Sequence, residues 1–304
     1  MQSILSKVKL GTETGGRPPA AVEISPEGVL AAALTGSGEA AFAFEALPAG
    51  ALLPGIGEPN LRAPELISNA MRNVLAQVSP RTRAVTVVVP DTVVRVFVLD
   101  FDSLPSKAAE VFPVLRFRLR KMVPFDVEHA GLSYQILAES KTECRVLTAV
   151  LPGAILAEYE GAARGAGYEP GAVLPSSLAA LAAVETQEPV LAANLSRVAL
   201  TTSITNGQDL LLYRTLDLPE DPGLHQEEVR RGIAVAAAYF EDKLGVRPRR
   251  LHYAGIGTAQ EFASWMDDPE LTVVDLAARP QIGAITALGD TSIAGLAGAL
   301  AGAR

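Results

Sequence analysis

Residues 85–91 read Val-Thr-Val-Val-Val-Pro-Asp, and residues 94–100 read Val-Arg-Val-Phe-Val-Leu-Asp. The first is a short, β-branched apolar run stopped by Pro, the pattern of a strand buried on both faces. The second alternates well enough for another strand. Leu104-Pro105 follows, then a helix expected over about 106–122, with Pro113 expected to kink it or mark its true first turn. Val123-Pro124-Phe125-Asp126 ends that helix, strands are expected at 132–137 (Leu-Ser-Tyr-Gln-Ile-Leu) and 145–150, and a helix over 155–165 runs into Gly165-Ala166-Gly167-Tyr168-Glu169-Pro170. A further helix is expected over 177–184.

Working outward, strands are expected at 20–24, 29–34 and 40–44, the first two joined by the turn Pro26-Glu27-Gly28. Residues 47–60 carry Pro48, Pro54 and Pro59 and read as a loop. Pro64 opens a helix to about 77, with Leu66, Ile67, Ala70, Met71, Val74 and Leu75 at helical spacing. Beyond Pro189, strands are expected at 190–194, 198–204 and 210–216, the last two joined through the hairpin signal Asn206-Gly207. A long helix at 227–244, a strand at 250–254, the loop Gly255-Ile256-Gly257, a helix at 259–266, a strand at 271–275 and a mostly helical 285–302 complete the chain. Each half thus opens with a strand, a turn and a strand, then alternates into α/β. Two such halves facing across a cleft form the plan of actin-like nucleotide-binding folds, an analogy of fold that by itself gives no function.

Composition narrows the classes. The 304 residues suffice for two domains, and 49% are apolar but only 5% aromatic, which suits helices packed on sheets through Ala, Val and Leu. With 26 basic against 34 acidic residues the net charge is -8, which argues against a general nucleic-acid binder. The single cysteine, Cys144, sits in an apolar run and reads as a core residue. No apolar run reaches the roughly 20 residues of a membrane span, and the first residues do not form a signal peptide. The cytoplasm is the expected address. His129, His225 and His252 show no metal-ligand spacing. Asp100 and Asp102 read as a solvated strand end.

The ordered series over 85–177 resembles the inserted subdomain of the PilM family of type IV pilus assembly proteins, which is related to the cell-division protein FtsA. In that family a strand ending in Pro leads into an insert with a Pro-Phe turn and a Tyr-Gln strand, and an Ala-Gly helix end returns the chain to its lobe. The second half fits as well, from the Asn206-Gly207 hairpin through Gly255-Ile256-Gly257 to Gly295-Leu296-Ala297. No single motif is diagnostic; the order carries the resemblance, over most of the chain from Ala20 onward. It implies an actin-like two-lobed α/β fold of ribonuclease H-like halves with an inserted small α+β subdomain. The implied division is a flexible N-terminus (1–19), a first lobe (20–90 and 171–188), an insert (91–170) and a second lobe (189–304).

The resemblance also locates a site. Actin-like folds hold ATP between two hairpin loops, each typically Asp-x-Gly, where Gly lets backbone amides approach a phosphate and Asp serves the metal or the attacking water. Here the first hairpin has Glu23 for the Asp and Ser25 for the Gly, and Pro26 removes a backbone donor. The second has Asn194-Leu195-Ser196, with neutral Asn194 for the Asp and Ser196 for the Gly. Gly255 and Gly257 match the adenosine-side loop better, although an ordinary strand-to-helix turn explains them equally. The loops therefore read as vestigial: no cofactor is expected, with ATP and Mg as the alternative. No Walker-type loop, Rossmann fingerprint or Gly-x-Ser-x-Gly occurs.

The run Arg116-Phe117-Arg118-Leu119-Arg120-Lys121 gathers positive charge near a helix end. Such charge suits the helix dipole on a solvated face, or else forms a docking patch for an acidic peptide or anionic lipid head groups. Arg116, Arg118 and Arg120 are the residues this charge cluster puts forward for partner binding. The resemblance implies a non-catalytic scaffold peripheral to the cytoplasmic face of the inner membrane. In the PilM family, a groove between the insert and its lobe takes the cytoplasmic tail of the membrane protein PilN, within a platform of other pilus proteins. Two alternatives remain: an active actin-like ATPase, and a component like the cytoplasmic part of a type II secretion protein.

Overall fold

In the computed structural model, residues 17–36, 38–184, 186–277 and 291–303 are described. Residues 1–16 of the expected N-terminal segment, and 285–290 of the expected last helical stretch, lie outside them. Among the described residues, three sheets organise the fold. The first has the order β3-β2-β1-β4-β8, from β1 (Ala20–Ser25), β2 (Gly28–Leu34), β3 (Ala40–Ala46), β4 (Ala84–Val89) and β8 (Glu169–Pro175). The second has the order β11-β10-β9-β12-β13, from β9 (Val190–Leu195), β10 (Ala199–Asn206), β11 (Asp209–Asp217), β12 (Arg250–Gly255) and β13 (Thr272–Asp275). The two share one plan: an antiparallel three-stranded meander joined through its first strand to parallel strands. That is the internal duplication expected from the two opening hairpins.

Both faces of each large sheet are covered, as parallel strands require. In the first lobe, helices α1 (Pro64–Val78) and α3 (Gly153–Gly165) bury Ile67, Met71, Leu75, Ile155 and Tyr159 against Val22, Ile24, Val85 and Val87 on one face. On the other face Leu30, Val88 and Leu174 meet α4 (Ser176–Leu181) and the C-terminal helix α7 (Ala294–Ala301). In the second lobe, α5 (His225–Leu244) and α6 (Ala259–Ala263) set Val229, Ile233, Phe240 and Phe262 against Leu191, Leu200 and Leu251. Its opposite face, through Val190, Ala192 and Ala254, contacts Leu178 and Leu181 of α4 and Ala294 of α7. Helices α4 and α7 therefore form the layer between the lobes. At their crossing, a Cβ built on Gly298 would fall inside the Ala179 carbonyl oxygen. Only glycine permits this approach.

The third sheet, β5-β7-β6, is built from β5 (Arg95–Phe101), β6 (Gly131–Glu139) and β7 (Cys144–Leu151). Helix α2 (Ala108–Leu119) covers one face with Val111, Leu115 and Leu119, against Leu99, Val146 and Val150. Cys144 is buried there, as a core cysteine should be. The other face turns Leu147 toward α4 and the second sheet. Helix α2 runs through Pro113, which lies in its second turn rather than its first.

Strand β8 is a departure from the sequence expectation: the Pro- and Gly-rich stretch Glu169–Pro175 pairs in parallel with β4. It is the outermost strand, where proline is tolerated because one edge has no ladder to supply. The hairpin at Asn206 turns on Gly207, which adopts φ 57°.

Candidate functional site

The two hairpins bring their ends together between the lobes. Glu23 and Ser25 at the end of β1, Asn194 and Ser196 at the end of β9, and Gly255 at the end of β12 line one cleft. Gly257 lies in an adjoining hollow with Phe44, Tyr253, Phe262 and Trp265. The expected loop residues therefore do converge, and this site stands where strand ends place ligand sites in α/β folds.

What fills the inner cleft is a side-chain network, and its centre is a residue that the loop motifs did not mark. Asp91 follows Pro90 at the end of β4 in a turn of 3-10 helix and is buried. Its carboxylate accepts from the Ser177 backbone N–H (2.9 Å) and the Ser177 hydroxyl (2.5 Å), satisfying the start of α4. It also accepts from the Tyr213 phenol on β11 (2.8 Å) and, more distantly, from Asn194 Nδ2 (3.5 Å). Asn194 Nδ2 donates to Ser176 Oγ (3.2 Å), and Ser176 donates to Glu23 Oε1 (2.6 Å). Strand β1, the 3-10 turn after β4, the interlobe helix α4 and strands β9 and β11 of the second lobe are thus joined by one chain of bonds. At the rim, Arg197 of the second hairpin pairs with Glu27 of the first (2.9 Å).

The two serines expected in place of loop glycines are used locally. Ser25 donates to Gly28 O, and Ser196 donates to Ala199 O while accepting from the Val198 and Ala199 N–H groups. Gly255 has φ 119°, and a Cβ there would collide with the backbone of Leu195, so its glycine is explained by close strand packing. Solvent space in the inner cleft is about 70 Å³, whereas the adjoining hollow offers about 620 Å³. The former is room for a few waters.

Burial pushes the Glu23 carboxyl up to about 7, reinforced by Asp91 and Glu27 and opposed by the bond from Ser176. Its Oε2 is sealed from solvent with no hydrogen-bond partner among the described residues, and Gly295 of α7 leaves it room. Burial also raises Asp91, against the bonds from Ser177, Tyr213 and Thr201. The Tyr213 phenol is pushed well above its ordinary value by burial and by Asp91, so it stays a donor. Among the described residues, Glu23, Glu27 and Asp91 line this end of the cleft, with Glu27 paired to Arg197 at the rim. Among the described residues, no group of three or more His, Cys, Asp or Glu side chains is placed to hold a metal ion.

The Glu23 shift has a consequence for stability. The unfolded carboxyl titrates near 4.5, so between that value and about 7 the folded protein holds a proton that the unfolded chain has released. Stability from this group is full below pH 4.5, falls as pH rises to 7, and is constant above, a loss of about 3 kcal/mol. Glu23→Gln is expected to match the wild type at pH 5 and exceed it by about 2 kcal/mol at pH 8 in urea titrations. An equal gap at both pH values would exclude this titration.

The arginines lie elsewhere, on the insert. Arg116 Nη1 donates to the Val127 carbonyl, and Arg120 pairs with Glu128 (2.6 Å). Arg118 is exposed, beside Phe117, which is 70% exposed.

No protein-family model matches the sequence, and no curated protein matches it. Solved structures do match in fold. The PilM–PilN type IV pilus biogenesis complex aligns at 18% identity and TM-score 0.70, over 94% of this chain and 98% of that one. A protein from Bacteroides thetaiotaomicron with an actin-like ATPase fold aligns at 11% identity and TM-score 0.51, over 94% and 98%. The cytoplasmic domain of EpsL, from the type II secretion system of Vibrio cholerae, aligns at 13% identity and TM-score 0.49, over 88% and 92%. The chain has the two-lobed actin-like α/β fold, with a small inserted α+β subdomain, that was expected from its sequence.

Proposed function

We propose that this protein is a non-catalytic scaffold of a type IV pilus or related secretion platform at the cytoplasmic face of the inner membrane. Its work is to bind the cytoplasmic tail of a PilN-like membrane protein. The observation that carries the reading is the state of the cleft. The phosphate end is taken up by Asp91, Ser176, Ser177, Asn194, Glu23 and Tyr213, bonded to one another across the lobes. A cleft latched in this way holds the lobes for protein contacts and needs no ATP or Mg. Likeness in fold to PilM in its complex with PilN supports the choice of partner. A peptide in a groove gains main-chain bonds to a sheet edge or drops apolar anchors into pockets. Among the described residues, no helix is long and apolar enough to cross a membrane.

The test is calorimetry with a synthetic tail from the PilN-like protein of the same genome. Saturable micromolar binding is expected, unchanged by added ATP and Mg. Absence of binding at millimolar peptide would refute the assignment of partner. A second reading, nucleotide held without turnover, draws on the hollow beside Gly257, where the half-buried Trp265 lines the wall and offers apolar surface for a base.

A further inference from the structure

Helix α2 buries Val111, Leu115 and Leu119, half-buries Phe112, Val114 and Arg116, and turns Phe117 and Arg118 outward. On that outer side Phe117 is 70% exposed and Met122, in the turn that follows, is 41% exposed. Arg118 and Lys121 are exposed between them. Neither makes an ion pair among the described residues, whereas Arg120 is neutralised by Glu128 and Lys107 is paired with Glu110. Residues 111–125 carry four basic side chains and no acidic one, in a chain of net charge -8. The acidic groups that follow in sequence, Asp126 and Glu128, are held by His129 and Arg120.

Phe117 and Met122 thus stand in solvent beside two cations that make no ion pair among the described residues. The pairing suits one surface above others: a bilayer whose head groups are anionic and whose acyl boundary accepts apolar side chains. We propose that the tip of α2, through Phe117, Met122, Arg118 and Lys121, docks the protein on an anionic lipid surface. An acidic protein segment would use the two cations but leave Phe117 and Met122 without a purpose. The remaining surface is acidic on balance, so the same membrane repels it and the insert becomes the side that approaches. Two cations and two apolar residues make a weak, reversible contact rather than an anchor. This proposal stands apart from the choice of protein partner.

The experiment is co-flotation of the full chain with vesicles of phosphatidylcholine alone, or of equal parts phosphatidylcholine and phosphatidylglycerol. Partitioning onto the anionic vesicles is expected to exceed that onto neutral ones at least about ten-fold, at about five-fold per cation, and to fall at high salt. Arg118→Glu with Lys121→Glu is expected to remove the preference. Phe117→Ser with Met122→Ser is expected to lower partitioning about ten-fold. All four side chains are exposed, so melting temperatures should stay at the wild-type value and report any misfolding. The proposal is overturned if the wild type floats equally with both vesicles or with neither. It is also overturned if the serine pair floats as the wild type does, because the contact would then be charge alone with no apolar insertion.

Discussion

Replacing Asp91 by alanine is expected to destabilise the protein by about 3 kcal/mol, because it orphans several buried donors at once. The Ser177 N–H, the Ser177 hydroxyl and the Tyr213 phenol lose their acceptor, in space that admits only a few waters. Each such orphan costs about 1–3 kcal/mol, less the relief of no longer burying a carboxylate. Asp91→Asn keeps an acceptor for the Ser177 N–H while the hydroxyls rotate to suit, and should cost about 1 kcal/mol. Because Tyr213 belongs to the second lobe, a double-mutant cycle of Asp91→Ala with Tyr213→Phe should show a coupling of about 1–2 kcal/mol. Urea unfolding curves measure all of these. Additive single effects would mean that the bond across the lobes contributes nothing.

Gly298→Ala should be still more damaging, although it adds one methyl to a helix. The new Cβ would occupy the place of the Ala179 carbonyl oxygen and crowd the backbone of Ala183 (3.2 Å to its nitrogen). Neither is a side chain that can swing away, so α4 and α7 must separate. Overpacking of this kind costs about 3 kcal/mol or more, and Gly298→Val should leave no soluble folded protein. Gly161→Ala, in α3 with open space around it, is the control. There the helix preference of alanine should raise stability by about 0.5–1 kcal/mol. Equal behaviour of the two alanine variants in thermal melts would show that the interlobe helices do not pack as closely as described.

The elements that could be read from sequence were those whose signal is local. The β-branched run at Ala84–Val89, the Pro-opened helix at Pro64 and the two opening hairpins each carry their own pattern within a few residues. Strand β8 does not: its prolines and glycine read as punctuation, and only its place at the sheet edge makes it a strand. The same divide runs through the site. Glu23, Ser25, Asn194 and Ser196 stand out because the resemblance gives each hairpin loop a fixed place, and they line one cleft. Asp91 meets Ser177 and Tyr213 over 86 and 122 residues of chain, which no local pattern encodes. Its one visible mark was an acidic residue directly after Pro90 at the end of a buried strand. The charge run on α2 was plain in sequence, but not that Arg116 and Arg120 would bond within the insert.

The central claim is that the chain's own side chains take the place of nucleotide in the cleft. Titrating ATP with Mg into the purified protein by calorimetry tests it most directly, with thermal melts at millimolar nucleotide as a second readout. The account predicts no binding heat and no rise in melting temperature, for the wild type and for Glu23→Gln alike. Micromolar binding, with a melting temperature that climbs with nucleotide concentration, would contradict it and return Glu23, Asn194 and Asp91 to service around a phosphate.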